Sequence, residues 1–163
     1  MSLPKRKHPR LKEYDYSANG YYTVTICTKN RQQILSKLVG RGAHTPPSIV
    51  LTNAGKIVEK YIKNINTVYN DITVDCYCIM PNHIHLILFF NVSESNGGMW
   101  ASRPTLDTVI RTLKTMVTKE LKQSIWQKSF FDHIIRNEQD LFNERRYVEE
   151  NPARWLTGDY RIR

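Results

Sequence analysis

The strongest fold signal lies in residues 72–90, which read ITVDCYCIMPNHIHLILFF. β-Branched, aromatic and aliphatic residues dominate both halves of this stretch, and such residues favour strands. Pro81 and Asn82 separate the two halves and are typical of a turn. Ile72–Met80 and His83–Phe90 are therefore predicted to form a β-hairpin.

A further strand and an irregular connection are predicted before the hairpin. Residues 20–28 read GYYTVTICT, and this aromatic and β-branched run predicts a strand. Residues 29–50 predict an exposed connection, because they contain residues that interrupt regular structure. These are Gly40, Gly42, Pro46 and Pro47.

Two amphipathic helices are predicted, one on each side of the hairpin in the sequence. Thr52 or Asn53 can cap the first helix. In both segments apolar residues recur every three or four positions, so one face is expected to pack on the sheet while lysines face water. The first stripe is Ala54, Ile57, Val58, Tyr61, Ile62 and Ile65, and the second is Leu106, Val109, Ile110, Leu113, Met116, Val117 and Leu121.

The last elements complete a recognisable order. A fourth strand is predicted within residues 125–135, and Asn137 can cap a third helix from Glu138 to about Glu150. Asn151-Pro152 is expected to end that helix, because proline restricts the residue before it. The order predicts an α+β fold, a ferredoxin-like split βαβ sandwich with an antiparallel sheet and an additional C-terminal helix.

Composition and charge limit the class of protein. The 163 residues are 40% apolar and suit one domain over residues 1–163, with a basic N-terminal arm at 1–16 and a flexible loop at 93–104. No apolar run is long enough to span a membrane and no secretory signal is visible, so a cytoplasmic domain is expected. Lys and Arg exceed Asp and Glu by 24 to 15, a net charge of +9. This excess favours a polyanionic partner, most often nucleic acid, although many small proteins are merely basic.

The cysteines do not indicate a metal site. Cys27, Cys76 and Cys78 are odd in number and lack the spacing of a zinc site. Cys76 and Cys78 are expected to share one strand face with Val74 and Met80 as buried, reduced thiols.

His83 and His85 are the sharpest candidates for chemistry. On a strand they project from the same face, about 6.6 Å apart along the backbone, and two imidazoles that close can converge on one divalent ion. The alternative is that both lie on a solvated face of the sheet, since H-x-H is a short pattern with many accidental matches.

A two-histidine site needs a third ligand, and the last helix can supply one. Tyr147 and Asn151 are four residues apart and so lie on one helical face, as a possible nucleophile and a possible amide ligand. Most tyrosines, however, are core or surface residues with satisfied hydroxyls, and Asn151 could equally be a helix C-cap. Gln139, Glu144 and Glu150 remain alternative third ligands.

Three motifs together resemble the HUH single-tyrosine transposases, and most closely their REP-associated tyrosine transposase (IS200-like) branch. They are YCIMPNHIHLIL at 77–88, WQKSFFDHIIRNE at 126–138 and YVEENPARW at 147–155. The early strand YYTVTICTKNR and the helix start NAGKIV also fit. Val148, where isoleucine is commoner, and a longer loop near 93–104 are mild departures that do not touch the chemistry.

The resemblance implies a role for each candidate. His83 and His85 would bind Mg²⁺ or Mn²⁺, Asn151 would be the third ligand, and Tyr147 on the C-terminal catalytic helix would be the nucleophile. His133 is expected to be structural or to contact DNA rather than to bind metal. The sequence leaves open whether Tyr147 acts in its own chain or in a partner, because this depends on how residues 136–140 turn.

The implied activity is cleavage and rejoining of single-stranded DNA beside an imperfect hairpin, through a 5′-phosphotyrosine and without a nucleotide cofactor. The implied protein is cytoplasmic and nucleoid-associated, has no membrane partner, and is a monomer or homodimer. Trp100 and Trp126 are possible stacking platforms for bases, with a core role favoured for Trp126. The expected phosphate contacts are Lys5, Arg6, Lys7 and Arg10 in the arm and Arg111, Lys114, Lys119 and Lys122 on a helix.

Two other functions stay open. A domesticated hairpin-binding protein would keep the fold without turnover. A replication initiator or relaxase would share H-x-H and a tyrosine, but those chains are usually longer.

Overall fold

The protein is described by a computed structural model that covers residues 10–40, 46–93 and 103–160. Lys5, Arg6, Lys7, Trp100 and most of the predicted loop at 93–104 lie outside these ranges. The strands are β1 (Gly20–Cys27), β2 (Ser36–Val39), β3 (Ser48–Leu51), β4 (Ile72–Met80), β5 (His83–Phe90) and β6 (Phe131–Ile135). The α-helices are α1 (Asn53–Val68), α2 (Leu106–Leu121) and α3 (Glu138–Thr157), and a 3₁₀ turn covers Lys29–Arg31.

Four strands form an antiparallel sheet in the order β4-β5-β1-β6. β5 lies between β4 and β1, so both of its edges are hydrogen-bonded to neighbouring strands. This order and the two helices α1 and α2 confirm the predicted split βαβ architecture. Among the described residues, no helix is long and apolar enough to cross a membrane.

The main core lies between the sheet and helices α1 and α2. Of the two caps predicted for α1, Thr52 is the one observed: its hydroxyl accepts a hydrogen bond from the Gly55 amide at 3.1 Å. Thr105, for which no cap was predicted, caps α2 in the same way. The apolar stripes of both helices then pack against the β5 residues Ile84, Leu86 and Leu88, which are all fully buried. Burial of each such side chain stabilises the fold by about 1.5–3 kcal/mol.

Alternation along β5 sends its remaining residues to the opposite face, and α3 covers that face. Ile87 and Val148 belong to a smaller apolar cluster there, together with Met80 and Ile135. Because His83 and His85 alternate with the core residues of β5, they lie on the α3 side of the sheet.

The prediction of a plain connection at 29–50 is wrong. Residues Ser36–Val39 and Ser48–Leu51 pair as a second, two-stranded sheet. The Ser36 hydroxyl donates to the Ile79 carbonyl at 2.9 Å, and Leu38 and Ile49 pack on the smaller cluster. These strands are only four residues long, and the glycines and prolines between them hid the apolar alternation.

The predicted end of α3 at Asn151-Pro152 is also wrong, because the helix continues to Thr157. Proline removes only the hydrogen bond to the Val148 carbonyl, and packing and ion pairs on both sides of it preserve the helix. Arg146 and Arg154 each bind Glu150 at 2.9 Å. The helix ends at Gly158, whose φ of 76° suits glycine.

Simple alternation along β4 predicts that Val74 shares a face with Cys76 and Cys78, and this prediction is wrong. The register shifts between Val74 and Cys76, so Val74 packs against the main core while Cys76 and Cys78 face the smaller cluster. A bulge of one residue reverses the alternation at that point. All three cysteines are free thiols, of which Cys27 and Cys78 are buried and Cys76 is half-buried.

Gly55 in α1 is predicted not to tolerate alanine, although alanine usually favours a helix. A Cβ at this position would lie 2.0 Å from the Leu35 carbonyl oxygen. Alanine in a helix is ordinarily better than glycine by about 1 kcal/mol. Gly55→Ala should nevertheless lower the free energy of unfolding by about 1–3 kcal/mol in urea titration, because the carbonyl cannot move without disturbing the cap. The exposed Asn64→Ala is the control and should be neutral or stabilising; a stabilising Gly55→Ala would contradict the packing.

Candidate active site

His83 and His85 lie fully buried in β5, with their Nε2 atoms 3.1 Å apart. The alternative of a solvated sheet face is therefore wrong. Two imidazoles without solvent need partners inside the protein, because a buried polar group without a hydrogen bond is destabilising.

Each histidine is held through its other ring nitrogen. His85 Nδ1 lies 2.9 Å from the Thr25 hydroxyl on β1, and His83 Nδ1 lies 2.7 Å from the Asn82 side-chain oxygen. An amide oxygen only accepts, so this contact assigns the proton to Nδ1 of His83 and leaves a lone pair on Nε2. This arrangement, with an outer partner on Nδ1 and Nε2 turned inward, is that of metal-binding histidines.

Electrostatics keep His83 neutral. Burial lowers the pKa of His83 to about 2, and the neighbouring His85 and Arg31 act in the same direction. The imidazole therefore remains uncharged at neutral pH, which is the form that binds a metal. Two ligands side by side on an ion with bonds of about 2.1 Å are about 3.0 Å apart, close to the separation of the two Nε2 atoms.

α3 brings Tyr147 to the same place. The Tyr147 ring lies 5.2 Å from the His85 ring, edge-on at 73°, and the residue is 8% exposed. The guanidinium of Arg154 lies 5.6 Å from the centre of the Tyr147 ring. In this structure both histidines and Tyr147 belong to the same chain.

Asn151 lies one turn after Tyr147 and is fully buried. Its side-chain nitrogen donates to the Tyr147 carbonyl at 3.0 Å. Its Oδ1 is also buried but accepts no hydrogen bond from any residue that the structure describes. A buried acceptor left without a donor costs about 1–3 kcal/mol. One unpartnered amide oxygen and two imidazole nitrogens are atoms of the kind that bind a divalent ion.

Two residues at the site were not identified from the sequence. The Tyr160 hydroxyl contacts both ring nitrogens of His83, at 2.9 Å from Nδ1 and closer to Nε2. The Trp155 ring lies 6.2 Å from the His83 ring and 5.0 Å from the Tyr160 ring. Trp155 is eight residues after Tyr147 and so lies on the same helical face, but the expected stop at Pro152 concealed this spacing.

The other candidate third ligands lie elsewhere. Gln139 is exposed and donates to Asn143 at 3.1 Å, and Glu150 is bound by Arg146 and Arg154. Glu144 is buried and belongs to a group with His133 and Asp140. Of the four candidates, Asn151 lies on the same face of α3 as Tyr147 and Trp155, four residues from each.

The basic side chains of α2 line a groove of about 430 Å³ beside residues 124–130. Arg111 and Lys119 are exposed there, whereas Lys114 is half-buried and donates to the Gln127 carbonyl at 2.7 Å. Burial lowers the pKa of Lys114 from its ordinary value. Lys122 is exposed at the end of α2.

Arg10 and Trp126 are held within the fold. The Arg10 guanidinium pairs with Asp132 at 2.7 Å and with Asp107 at 3.0 Å, and it lies 3.6 Å from the centre of the Phe130 ring. Trp126 is buried in the main core, as the favoured alternative expected. DNA contact by the basic residues stays a prediction.

Known proteins share this arrangement of strands and helices. A solved REP-associated tyrosine transposase, bound in that structure to a REP hairpin, superposes over 95% of this chain and 74% of its own, with a TM-score of 0.59 and 18% identity. The chain has the fold of a REP-associated tyrosine transposase. The resemblance predicted from the sequence motifs is thereby confirmed.

Two Haemophilus influenzae proteins are similar to this chain in sequence. One, of uncharacterised function, is 26% identical over 169 residues, which cover 92% of this chain and 89% of the relative. The other is provisionally named a REP-associated tyrosine transposase and is 32% identical over 92 residues, 47% of each chain. No family model matches the chain.

The buried His83 is predicted to make the metal-free protein sensitive to acid. Its pKa is about 2 when folded and 6.5 when unfolded, so between these values the unfolded chain binds the extra proton. The free energy of unfolding is therefore unaffected by the titration of His83 above about pH 6.5. It falls as the pH falls below this value, by up to about 1.4 kcal/mol per pH unit, which amounts to about 2 kcal/mol at pH 5. Urea unfolding in EDTA measures this, and His83→Gln should flatten the dependence. Equal slopes for both proteins would contradict the assignment.

Proposed function

We propose that this protein is a metal-dependent enzyme that cuts and rejoins single-stranded DNA beside a hairpin, with Tyr147 as its nucleophile. The observation that carries the proposal is the contact of Tyr147 with a buried pair of histidines whose Nε2 atoms are 3.1 Å apart. The named relative and the hairpin-bound protein of the same fold support DNA as the substrate. Such an enzyme would act in the cytoplasm, at the nucleoid.

The reaction would be a transesterification at one phosphorus atom. The Tyr147 oxygen would form a bond to phosphorus as its proton leaves, and the bond from phosphorus to the 3′ oxygen would break. That oxygen would take up a proton to give a free 3′-OH, while the 5′ side stays attached as a phosphotyrosine. Attack by a 3′-OH would reverse the step and join strands, so this reaction would need no nucleotide cofactor.

His83, His85 and Asn151 would hold the metal, proposed to be Mg²⁺ or Mn²⁺. A divalent ion bound there would make the phosphate more electrophilic and offset its developing negative charge. This help is needed because a phenol, with a pKa of about 10, is a weak nucleophile at neutral pH. Thr25 and Asn82 would orient the two imidazoles, and Asn151 would fix Tyr147 through the hydrogen bond to its carbonyl.

DNA would be held chiefly by charge. The groove beside α2 carries Arg111, Lys114, Lys119 and Lys128 on its walls, and cations of this kind bind phosphates by releasing counterions. The exposed Lys122 and the arm residues Lys5, Arg6 and Lys7 would extend this contact. Arg10 forms ion pairs with Asp107 and Asp132, so it would stabilise the wall of the groove rather than bind a phosphate.

Removal of the Tyr147 hydroxyl should abolish covalent chemistry. With hairpin-bearing single-stranded DNA and Mn²⁺, Tyr147→Phe should give no protein–DNA adduct on a denaturing gel, while hairpin affinity changes less than about twofold because the ring is retained. Tyr160→Phe is the matched control, since Tyr160 also contacts His83, and it should still form adduct. An adduct from Tyr147→Phe would overturn the assignment. Hairpin binding by the wild type without any adduct would support the domesticated binding protein instead.

Loss of groove cations should weaken binding and reduce its salt dependence. Each phosphate contact removed lowers the slope of log K against log salt by about 1. Arg111→Ala with Lys119→Ala should therefore reduce the slope by about 2 in fluorescence anisotropy.

The control for this experiment is Lys56→Ala with Lys63→Ala, which removes two exposed lysines from α1. Its slope should match that of the wild type. Equal slopes for both double variants would place the DNA elsewhere.

A further inference from the structure

A second cluster of metal-binding side chains lies beside the histidine pair. It consists of His133 on β6 with Asp140 and Glu144 on α3, and one ligand atom from each lies within 4.8 Å of the others. In the sheet His133 is paired with Thr23, two residues along β1 from the Thr25 that holds His85. His133 is therefore displaced from His85 by about 7 Å along the strands and by two strand spacings, about 10 Å, across the sheet. The cluster shares no residue with the first site.

The distances within the cluster suit one ion. His133 Nε2 is hydrogen-bonded to both Asp140 oxygens, at 2.9 and 3.0 Å, and an ion bound to the same atoms would replace this hydrogen bond. On an ion with bonds of about 2.1 Å, adjacent ligands are about 3.0 Å apart and opposite ligands about 4.2 Å apart. The three ligand atoms lie within 4.8 Å of one another, so small side-chain movements would allow all three to bind one ion.

The charges also favour a cation. Asp140 and Glu144 are four residues apart on one helix, a spacing at which like charges repel. Burial opposes the charge of Asp140, but hydrogen bonds from His133 and from the Arg136 amide outweigh it, so its pKa lies below the ordinary value. Glu144 is only 6% exposed, so its carboxyl lies away from water that could screen it.

An independent observation comes from Thr23, which does not belong to the cluster. Its hydroxyl is buried and has no hydrogen-bond partner among the described residues. Thr23 is directly opposite His133 in the antiparallel pair, so both side chains project from the same face with Cβ atoms about 5 Å apart. An unpartnered hydroxyl beside three metal-binding groups indicates that a further atom belongs between them.

We propose that His133, Asp140 and Glu144 form a second divalent-metal site, with the Thr23 hydroxyl facing the same ion or a water bound to it. One imidazole and two carboxylates suit a first-row ion such as Mn²⁺ or Zn²⁺ better than Ca²⁺, which takes oxygen ligands. The ion would join β6 to the first two turns of α3 and so hold the helix that carries Tyr147 on its own sheet. This replaces the expectation that His133 binds no metal.

Counting bound ions tests the site without reference to catalysis. Wild-type protein dialysed against Mn²⁺ should retain one more ion per chain than His133→Ala, as measured by elemental analysis. Glu144→Gln should lose the same ion. The control Glu138→Gln removes an exposed carboxylate from the same end of α3 and should retain the wild-type number. His133 is exposed, so its replacement should leave the fold intact, which circular dichroism checks.

The two sites can be distinguished in the same experiment. His83→Gln should lose the ion of the first site and keep the one at His133, whether or not the protein cleaves DNA. The Mn²⁺-dependent rise in Tm should be smaller in His133→Ala than in the wild type, because an ion bound only by the folded state stabilises it. The second site is refuted if His133→Ala and Glu144→Gln both bind as many ions as the wild type.

Discussion

The burial of two imidazoles on one face of the central sheet constrains the rest of the structure. His83 and His85 have no solvent exposure, so every nitrogen must find its partner within the fold. The sheet supplies partners for the outer nitrogens from Thr25 and Asn82. The inner nitrogens face each other, and only a covering element can close this polar space. α3 is that element.

The site depends on the length of α3, because each of three successive turns supplies a different side chain to it. The turn with Tyr147 contacts His85, the next carries Asn151, and the one after that places Trp155 beside His83. A helix that ended before Pro152 would leave His83 uncovered. The continuation through Pro152, stabilised by Glu150 with its two arginines, therefore completes the site. Pro152 cannot donate a backbone hydrogen bond, and the packing of α3 on the sheet outweighs this loss.

The sequence predicted the parts of this structure that depend on local pattern. The hairpin limits were correct to the residue, because Pro81-Asn82 interrupts two runs of strand-forming residues. The capping threonine and apolar stripe located α1 with similar accuracy. Alternation then placed His83 and His85 on one face, and the four-residue spacing placed Tyr147 and Asn151 on another.

Features that depend on tertiary contacts were missed. The strands β2 and β3 are too short to show a period, and their stability comes from packing against β4. The bulge after Val74 reverses the faces of β4 without any glycine to mark it. Tyr160 reaches His83 from 77 residues away in sequence, and no spacing rule connects them.

The central claim is that the Tyr147 oxygen, rather than another hydroxyl near His83, forms the bond to DNA. The most direct test is to incubate the protein with hairpin-bearing single-stranded DNA and Mn²⁺, digest the product and map the modified residue by mass spectrometry. We expect a 5′-phosphotyrosine at Tyr147 alone. A nucleotide on Tyr160, or on any other residue, would contradict it.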